Sequence, residues 1–211
     1  MTTPRMWDRL GPISGILFMA CLVGGIIAVS GVDTDPNNPA EEIARELADN
    51  TDAQGVSFIL FGLSLVFFIV FVAYMRDRFE GVVRGGPGHW LVPVFWGGAL
   101  MYGAAFLMQG FIQVAQASFD DYGSDVQVAK TLAVLSWNGL SLLTPGIALM
   151  MAAAAALILK AGALPSWLGW LAALGFLASP LPWVPVFALW VLATSIYLLA
   201  SGRETTPTPA A

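Results

Sequence analysis

The feature that most constrains this chain is a long uncharged segment, which runs from Thr131 to Leu159 and contains no Asp, Glu, Lys, Arg or His. A helix that crosses the hydrocarbon core of a bilayer, about 30 Å thick, needs about 20 mainly apolar residues, so this segment is long enough to cross. Similar apolar segments recur along the chain, of which 57% is hydrophobic and only 11% is charged. Soluble domains are about 25% charged, and the sequence therefore predicts a membrane protein.

The same length criterion predicts an all-α, polytopic transmembrane helix bundle that forms one domain over residues 1–203. The six predicted spans are 12–31, 55–75, 91–117, 129–159, 166–180 and 184–200. The last two are short, because Pro180, Pro182 and Pro185 interrupt one apolar stretch and block helix continuation. A single long kinked helix over this stretch is the alternative. The polar residues 204–211 are predicted to form a disordered tail.

The positions of the basic residues predict the orientation of the bundle. Under the six-span arrangement seven of the nine Lys and Arg residues lie on one side, and only Arg45 and Lys130 lie on the other. The seven are Arg5, Arg9, Arg76, Arg78, Arg84, Lys160 and Arg203. Because basic residues are enriched in cytoplasmic loops, the sequence predicts a protein of the cytoplasmic membrane with both termini in the cytoplasm.

The first outer loop is acidic and carries the signals of an amphipathic helix at about residues 39–49. Glu41 and Glu42 favour the positive end of the helix dipole, and Ile43 and Leu47 form a narrow apolar stripe at a spacing of i and i+4. The carboxylates lack the alternating ligand spacing and the turn glycine of a calcium loop. A solvated acidic face is therefore favoured over a metal site.

Residues that would support catalysis are scarce. The single histidine, His89, stands at a predicted membrane edge, and one histidine excludes zinc helices of the H-E-x-x-H type and paired-histidine haem ligation. The interior of the predicted spans contains no charged residue or histidine that would transfer protons. The sequence therefore predicts no cofactor, no metal and no enzymatic activity, and the net charge of −5 argues against nucleic acid as a partner.

Two polar stripes mark the predicted third and fourth spans. At about 100° per residue, each of two sets falls on one helix face: Tyr102, Gln109, Gln113 and Gln116, and Thr131, Asn138, Ser141 and Pro145. Pro145 also deprives the carbonyl of Ser141 of its helical donor. Because unsatisfied polar groups are costly in lipid, the stripes are predicted to face one another or a water-filled cavity, with Gln109 and Asn138 at similar depth.

These stripes have two interpretations. The favoured one is that they only join two helices by hydrogen bonds in a protein of structural or regulatory function. The alternative is an outward-opening pocket between the third and fourth spans, flanked by Phe106, Phe111 and Trp137, that binds or passes a small apolar molecule or a lipid. The candidate ligand-binding residues are Tyr102, Gln109, Gln113, Asn138, Ser141 and Pro145.

Membrane lipids are the expected partners. Small residues such as Gly11 and Gly15, four positions apart, let helices approach closely. The sequence does not separate packing within one chain from a homo-oligomer or from contact with another membrane protein.

Three segments resemble those of a known group of proteins: "NPAEEIARELADN", "FVAYMRDRFE" and "LILKAGALPSWLGWLAALGFL". Together with the apolar first span, they resemble a large group of uncharacterised, mostly actinobacterial six-span integral membrane proteins, often classed as domains of unknown function. The resemblance covers nearly the whole chain. It implies a six-span architecture and brings no activity and no catalytic residues.

Reporter fusions test the predicted orientation. A reporter at Gly85 and a reporter at the C-terminus should both be cytoplasmic, because most basic residues lie on that side. A reporter within residues 33–52 should be external. A C-terminal reporter on the outside would contradict the six-span arrangement.

Overall fold

The computed structural model describes residues 6–118, 125–181 and 186–201, with side chains from Arg9 onward. The described chain is all-helical, as predicted, and consists of α1 (Met6–Ala28), α2 (Ala40–Asp49), α3 (Thr51–Val83), α4 (Leu91–Ala117), α5 (Val126–Gly139), α6 (Thr144–Ala161), α7 (Ser166–Ala178) and α8 (Val186–Ser201). A short 3-10 turn, Leu140–Leu143, joins α5 to α6. Most of the predicted proline-rich turn, at 182–185, and the predicted tail lie outside the described residues.

Four helical segments are long and apolar enough to cross a membrane: Arg9–Ala28, Thr51–Val83, Leu91–Ala117 and Val126–Ala161. In contrast, α7 has 13 residues and α8 has 16, which at about 1.5 Å per residue gives about 20 and 24 Å. Both are shorter than a hydrocarbon core of about 30 Å. A transmembrane helix bundle is therefore supported, whereas six complete crossings are not confirmed.

The long helices pack as antiparallel neighbours, so the bundle has two distinct ends. Gly11 of α1 lies against Tyr74 of α3, near the end that also carries Lys160 of α6. We call this the basic end, and we call the opposite end, where α2 lies, the acidic end. The hairpin formed by α7 and α8 packs against α6 and α1, with Gly169 on Leu159.

The centre of the bundle is an aromatic cluster drawn from four helices. Phe68 of α3 lies between Phe18 of α1 and Tyr102 of α4, with ring-centroid distances of 5.3 and 4.9 Å. Phe187, near the start of α8, completes the cluster at 5.1 Å from Tyr102. Such tilted and edge-on pairs contribute beyond the apolar area that they bury. The cluster therefore ties the short hairpin to the middle of the long helices.

A close backbone approach joins α4 to α6 through two glycines. A Cβ atom added to Gly98 would lie 2.5 Å from the backbone nitrogen of Met150 and 2.9 Å from the carbonyl oxygen of Gly146. A Cβ atom added to Gly146 would in turn meet the backbone nitrogen of Tyr102. Backbone atoms cannot move aside as a flexible side chain can, so both positions require glycine.

The amphipathic helix predicted at about 39–49 corresponds to α2, Ala40–Asp49. Its two predicted stripe residues, Ile43 and Leu47, are fully buried and pack against Ala129 and Ala133 of α5. Its acidic residues remain on the other faces. The first half of α5 thus extends past the bundle to hold α2 in place.

Replacing neighbouring glycines tests the α4–α6 contact. Gly98→Ala should lower the free energy of unfolding by about 1–3 kcal/mol, the usual cost of overpacking a tight contact. Gly97→Ala is the matched control, because a Cβ atom at Gly97 would meet nothing within 4 Å. Unfolding in mixed detergent micelles measures the free energy of unfolding of both variants. Equal stability of the two variants would contradict the close contact.

Candidate functional site

A cavity of about 490 Å³ lies inside the bundle, on the side of the aromatic cluster nearer the acidic end. Every helix except α2 contributes to its wall, as does the 3-10 turn. Most of the wall is apolar; the polar side chains in it are Tyr102, Gln109, Gln113, Ser136, Trp137 and Ser179. A cavity of this size is within the range of about 300–1,000 Å³ that is usual for small-molecule sites.

The two helices of the hairpin are shorter than the long helices that line the cavity. Phe187 is near the tip of the hairpin and contacts Tyr102, but α4 continues from Tyr102 to Ala117, a distance of about 22 Å along the helix. Likewise, α1 continues for about 15 Å beyond Phe18, which also contacts Phe187. The described part of the hairpin lines the cavity through residues such as Gly175 and Ser179, and the long helices extend beyond its contact with Tyr102.

A hydrogen-bonded contact between α4 and α5 forms one wall. The Nε2 atom of Gln109 donates to the carbonyl oxygen of Ser136 at 3.0 Å and to its hydroxyl oxygen at 3.1 Å. The Oε1 atom lies against the backbone of Gly139. This contact is the kind of interhelical hydrogen bond that we expected if the stripes only join two helices. The partner of Gln109, however, is Ser136 and not Asn138.

Two glutamine oxygens in this region lack hydrogen-bond partners. The Oε1 atoms of Gln109 and Gln113 are both buried, and no described residue donates to them. Orientation of the Gln109 amide is fixed, since the Ser136 carbonyl can only accept and must face the Nε2 atom. The Gln113 amide has no such constraint.

The structure brings together half of the predicted ligand-binding residues. Tyr102, Gln109 and Gln113 of α4 line the cavity. Asn138, Ser141 and Pro145 are exposed and do not line it. The prediction that the two polar stripes face one another is therefore wrong for the α5–α6 stripe, although ligand binding itself stays a prediction.

The predicted direction of the polar stripe on α5 was wrong, because the small residues of this helix determine which of its faces packs against neighbouring helices. Ala129 and Ala133 are fully buried, and Gly139 lies against Gln109, so this face of α5 turns inward. Asn138 lies on another face, where its Nδ2 atom donates to the carbonyl of Val134 in its own helix at 2.8 Å. Its polar group is thus partly satisfied without any neighbouring helix.

The carbonyl of Ser141 is not free, contrary to the prediction. The backbone N–H of Thr144 donates to it in the 3-10 pattern. Pro145 therefore stands in the first turn of α6, where its missing N–H costs little. A 3-10 turn also rotates the chain by about 120° per residue, against about 100° in an α-helix. Residues before and after Leu140–Leu143 therefore do not share the face that a continuous α-helix would give them.

Sequence reasoning passed over Ser136 and the residues of the α7–α8 hairpin that line the cavity, such as Ser179. A signal for Ser136 was present in the spacing of Ala129, Ala133 and Ser136, which continues the small-residue face of α5. Nothing in the local sequence of α7 indicates that Ser179 meets a cavity.

The outer loop between α1 and α2 is attached to the cavity wall. The indole N–H of Trp137, which lines the cavity, donates to the carbonyl of Thr34 at 3.0 Å. Lys130, two helical turns before Trp137 on the same face of α5, donates to the carbonyl of Asn38 at 2.7 Å. Phe106 lines the cavity as predicted, whereas the third predicted flank, Phe111, is 76% exposed and lies outside it.

No family model, no curated protein and no solved structure significantly matches this chain. Its function is therefore inferred from the cavity alone.

Paired amide replacements test the assignment of Gln109 and Asn138. Gln109→Leu should lower the thermal stability modestly, because an interhelical hydrogen bond in a membrane protein contributes about 0.6 kcal/mol on average. Asn138→Leu should leave it unchanged, since the Asn138 amide bonds only to its own helix. A larger loss for Asn138→Leu than for Gln109→Leu would contradict the described packing of α5.

Proposed function

We propose that this chain is a non-enzymatic membrane protein that binds a small, mainly apolar molecule or a lipid chain in the cavity. The observation that carries the proposal is the cavity of about 490 Å³ with its mainly apolar wall. Packed protein interiors contain few voids larger than a water molecule, and side chains around an empty space lose dispersion contacts. A bundle with only a structural role has no need of such a space, so binding is preferred to the structural alternative.

Binding is also preferred to transport through the bundle. The aromatic rings of Phe18, Phe68 and Phe187 are packed against Tyr102 and close the inner side of the cavity. A permease would need this floor to open toward the basic end. The apolar rings favour a site that is entered and left from one side.

Catalysis is disfavoured by the chemistry of the wall. Among its described lining residues there is no Asp, Glu, Lys, Arg or His. General acid–base chemistry uses such groups near the reacting atoms. The amides and hydroxyls that are present suit the orientation of a bound molecule.

The proposal places the protein in the cytoplasmic membrane, with both termini in the cytoplasm and the cavity in the outer half of the bilayer. Arg9, Arg76 and Lys160 lie toward the basic end and support this orientation. Four crossings return α6 to the end where α1 begins. The α7–α8 hairpin then starts and finishes at that same end, so its depth does not alter the side of the C-terminus.

Membership of the actinobacterial group is part of the proposal, as are six membrane-embedded helical segments, of which α7 and α8 enter the bilayer without crossing it completely. Membrane lipids are its proposed partners. A homo-oligomer remains compatible with it.

Photolabelling tests the proposed binding. The protein in lipid nanodiscs is irradiated with a dodecane analogue that carries an alkyl diazirine, and mass spectrometry maps the labelled residues. We expect labels on the cavity-facing side chains of α4 and α5. Ile147→Trp should remove most of this labelling, because Ile147 lines the cavity and the larger ring would occupy it.

Leu149→Trp is the matched control, since Leu149 is on the same helix but 40% exposed and outside the cavity. Leu22→Trp, with Val23→Trp as its control, gives a second filling variant on α1 if Ile147→Trp does not fold. Equal labelling of a filling variant and its control, or labels confined to exposed side chains, would contradict the proposed site.

A further inference from the structure

We infer that the molecule bound in the cavity is an uncharged, single-chain amphiphile, with its hydrogen-bonding head toward the acidic end and its chain toward the aromatic cluster. This inference rests on the proposed function and specifies the ligand class of the same site.

The polarity of the cavity changes along its length. On α4 the lining residues follow the order Tyr102, Phe106, Gln109 and Gln113 toward the acidic end. The inner half of the cavity is bounded by the rings of Phe106 and Phe187, and Tyr102 packs in a tilted arrangement against both. The outer half carries the two glutamine amides. An occupant with one apolar end and one polar end matches this arrangement.

The change in polarity along the cavity matches the change in polarity that is expected with depth in a bilayer. About 20 helical residues cross the hydrocarbon core. Counted from Leu91 at the basic end of α4, this distance reaches the level of Phe111; counted back from Lys160 of α6, it reaches Leu140. Gln109, Gln113 and Ser136 therefore lie near the border between hydrocarbon and head groups.

The inner end of the cavity lies near the middle of the bilayer. Tyr102 is 11 residues from Leu91 (102 − 91 = 11), which corresponds to about 16 Å. The cavity therefore extends through one leaflet, in the direction taken by a lipid of that leaflet. Its volume of about 490 Å³ suits one chain of medium length.

The head group needs hydrogen bonds because the polar residues near it are incompletely satisfied. Gln113 lines the cavity, and no described residue bonds to its buried Oε1 atom. Rotation of its terminal amide would present either the oxygen or the nitrogen to a ligand. A hydroxyl or amide head can donate and accept, so it would pair with Gln113 in either position.

The head group is uncharged because nothing in the described wall would neutralise a charge. No basic or acidic side chain lines the cavity in the described ranges. A charge placed against this wall would lose its hydration without gaining a counter-ion. The acidic residues of α2 are directed to the outside, since its Ile43 and Leu47 face α5.

A competition experiment tests the head group. Nanodiscs with the diazirine probe receive dodecanol, dodecane or dodecyltrimethylammonium, and each competitor is compared at its measured concentration within the bilayer. We expect dodecanol to displace the probe at about 3- to 10-fold lower concentration than dodecane, the factor that corresponds to one hydrogen bond. Dodecyltrimethylammonium should be weaker than dodecanol.

Variants locate the head group. Gln113→Leu should abolish the preference for dodecanol over dodecane but retain labelling, and Gln109→Leu should reduce that preference. Asn138→Leu is the matched control, because it removes an amide at a similar depth outside the cavity. If Gln109→Leu is unstable, Gln113→Leu is sufficient for the experiment. It should remain folded, because no described hydrogen bond depends on the Gln113 side chain.

The outcomes separate the two proposals. Equal displacement by dodecanol and dodecane in the unmodified protein, or a preference that survives in Gln113→Leu, would overturn the head-group assignment and leave apolar binding intact. Stronger displacement by dodecyltrimethylammonium would overturn the uncharged head. Absence of cavity labelling would overturn the proposed function itself.

Discussion

A bilayer sets one minimum length for every helix that crosses it, and this chain meets that length in four segments and falls short in two. The α7–α8 hairpin packs against two of the long segments, α6 and α1. Because α7 has only 13 residues, the described part of the hairpin meets Tyr102 through Phe187 near the middle of the bundle. The long helices continue past this contact and supply most of the wall of the cavity in which the proposed ligand is bound.

The floor of that space is closely packed. The α4–α6 contact at Gly98 and Gly146 brings two backbones together without intervening side chains, and it holds Tyr102 beside the ring of Phe187. Close-packed interiors transmit strain and do not deform freely. The upper walls cannot therefore move inward to fill the cavity without disturbing the centre of the bundle.

Length and composition predicted the all-α class and the four long helices, and the pair Ile43 and Leu47 predicted α2. The polar stripe of α4 was also located correctly for Tyr102, Gln109 and Gln113. Periodicity failed on α5 because it identifies a helix face but does not give the direction of that face. The cavity could not be predicted, since it depends on how far the hairpin extends relative to its neighbours, which is a property of tertiary packing.

The bond between Trp137 and Thr34 attaches the loop between α1 and α2 to the cavity wall. A ligand that shifts the indole ring changes the anchorage of the loop, and a molecule that pulls on the loop changes the shape of the site. Thermodynamic linkage requires these two effects to be equal in free energy. The cavity is thereby connected to the α1–α2 loop through the hydrogen bond of Trp137, so occupancy of the cavity and the position of this loop influence each other without movement of a long helix.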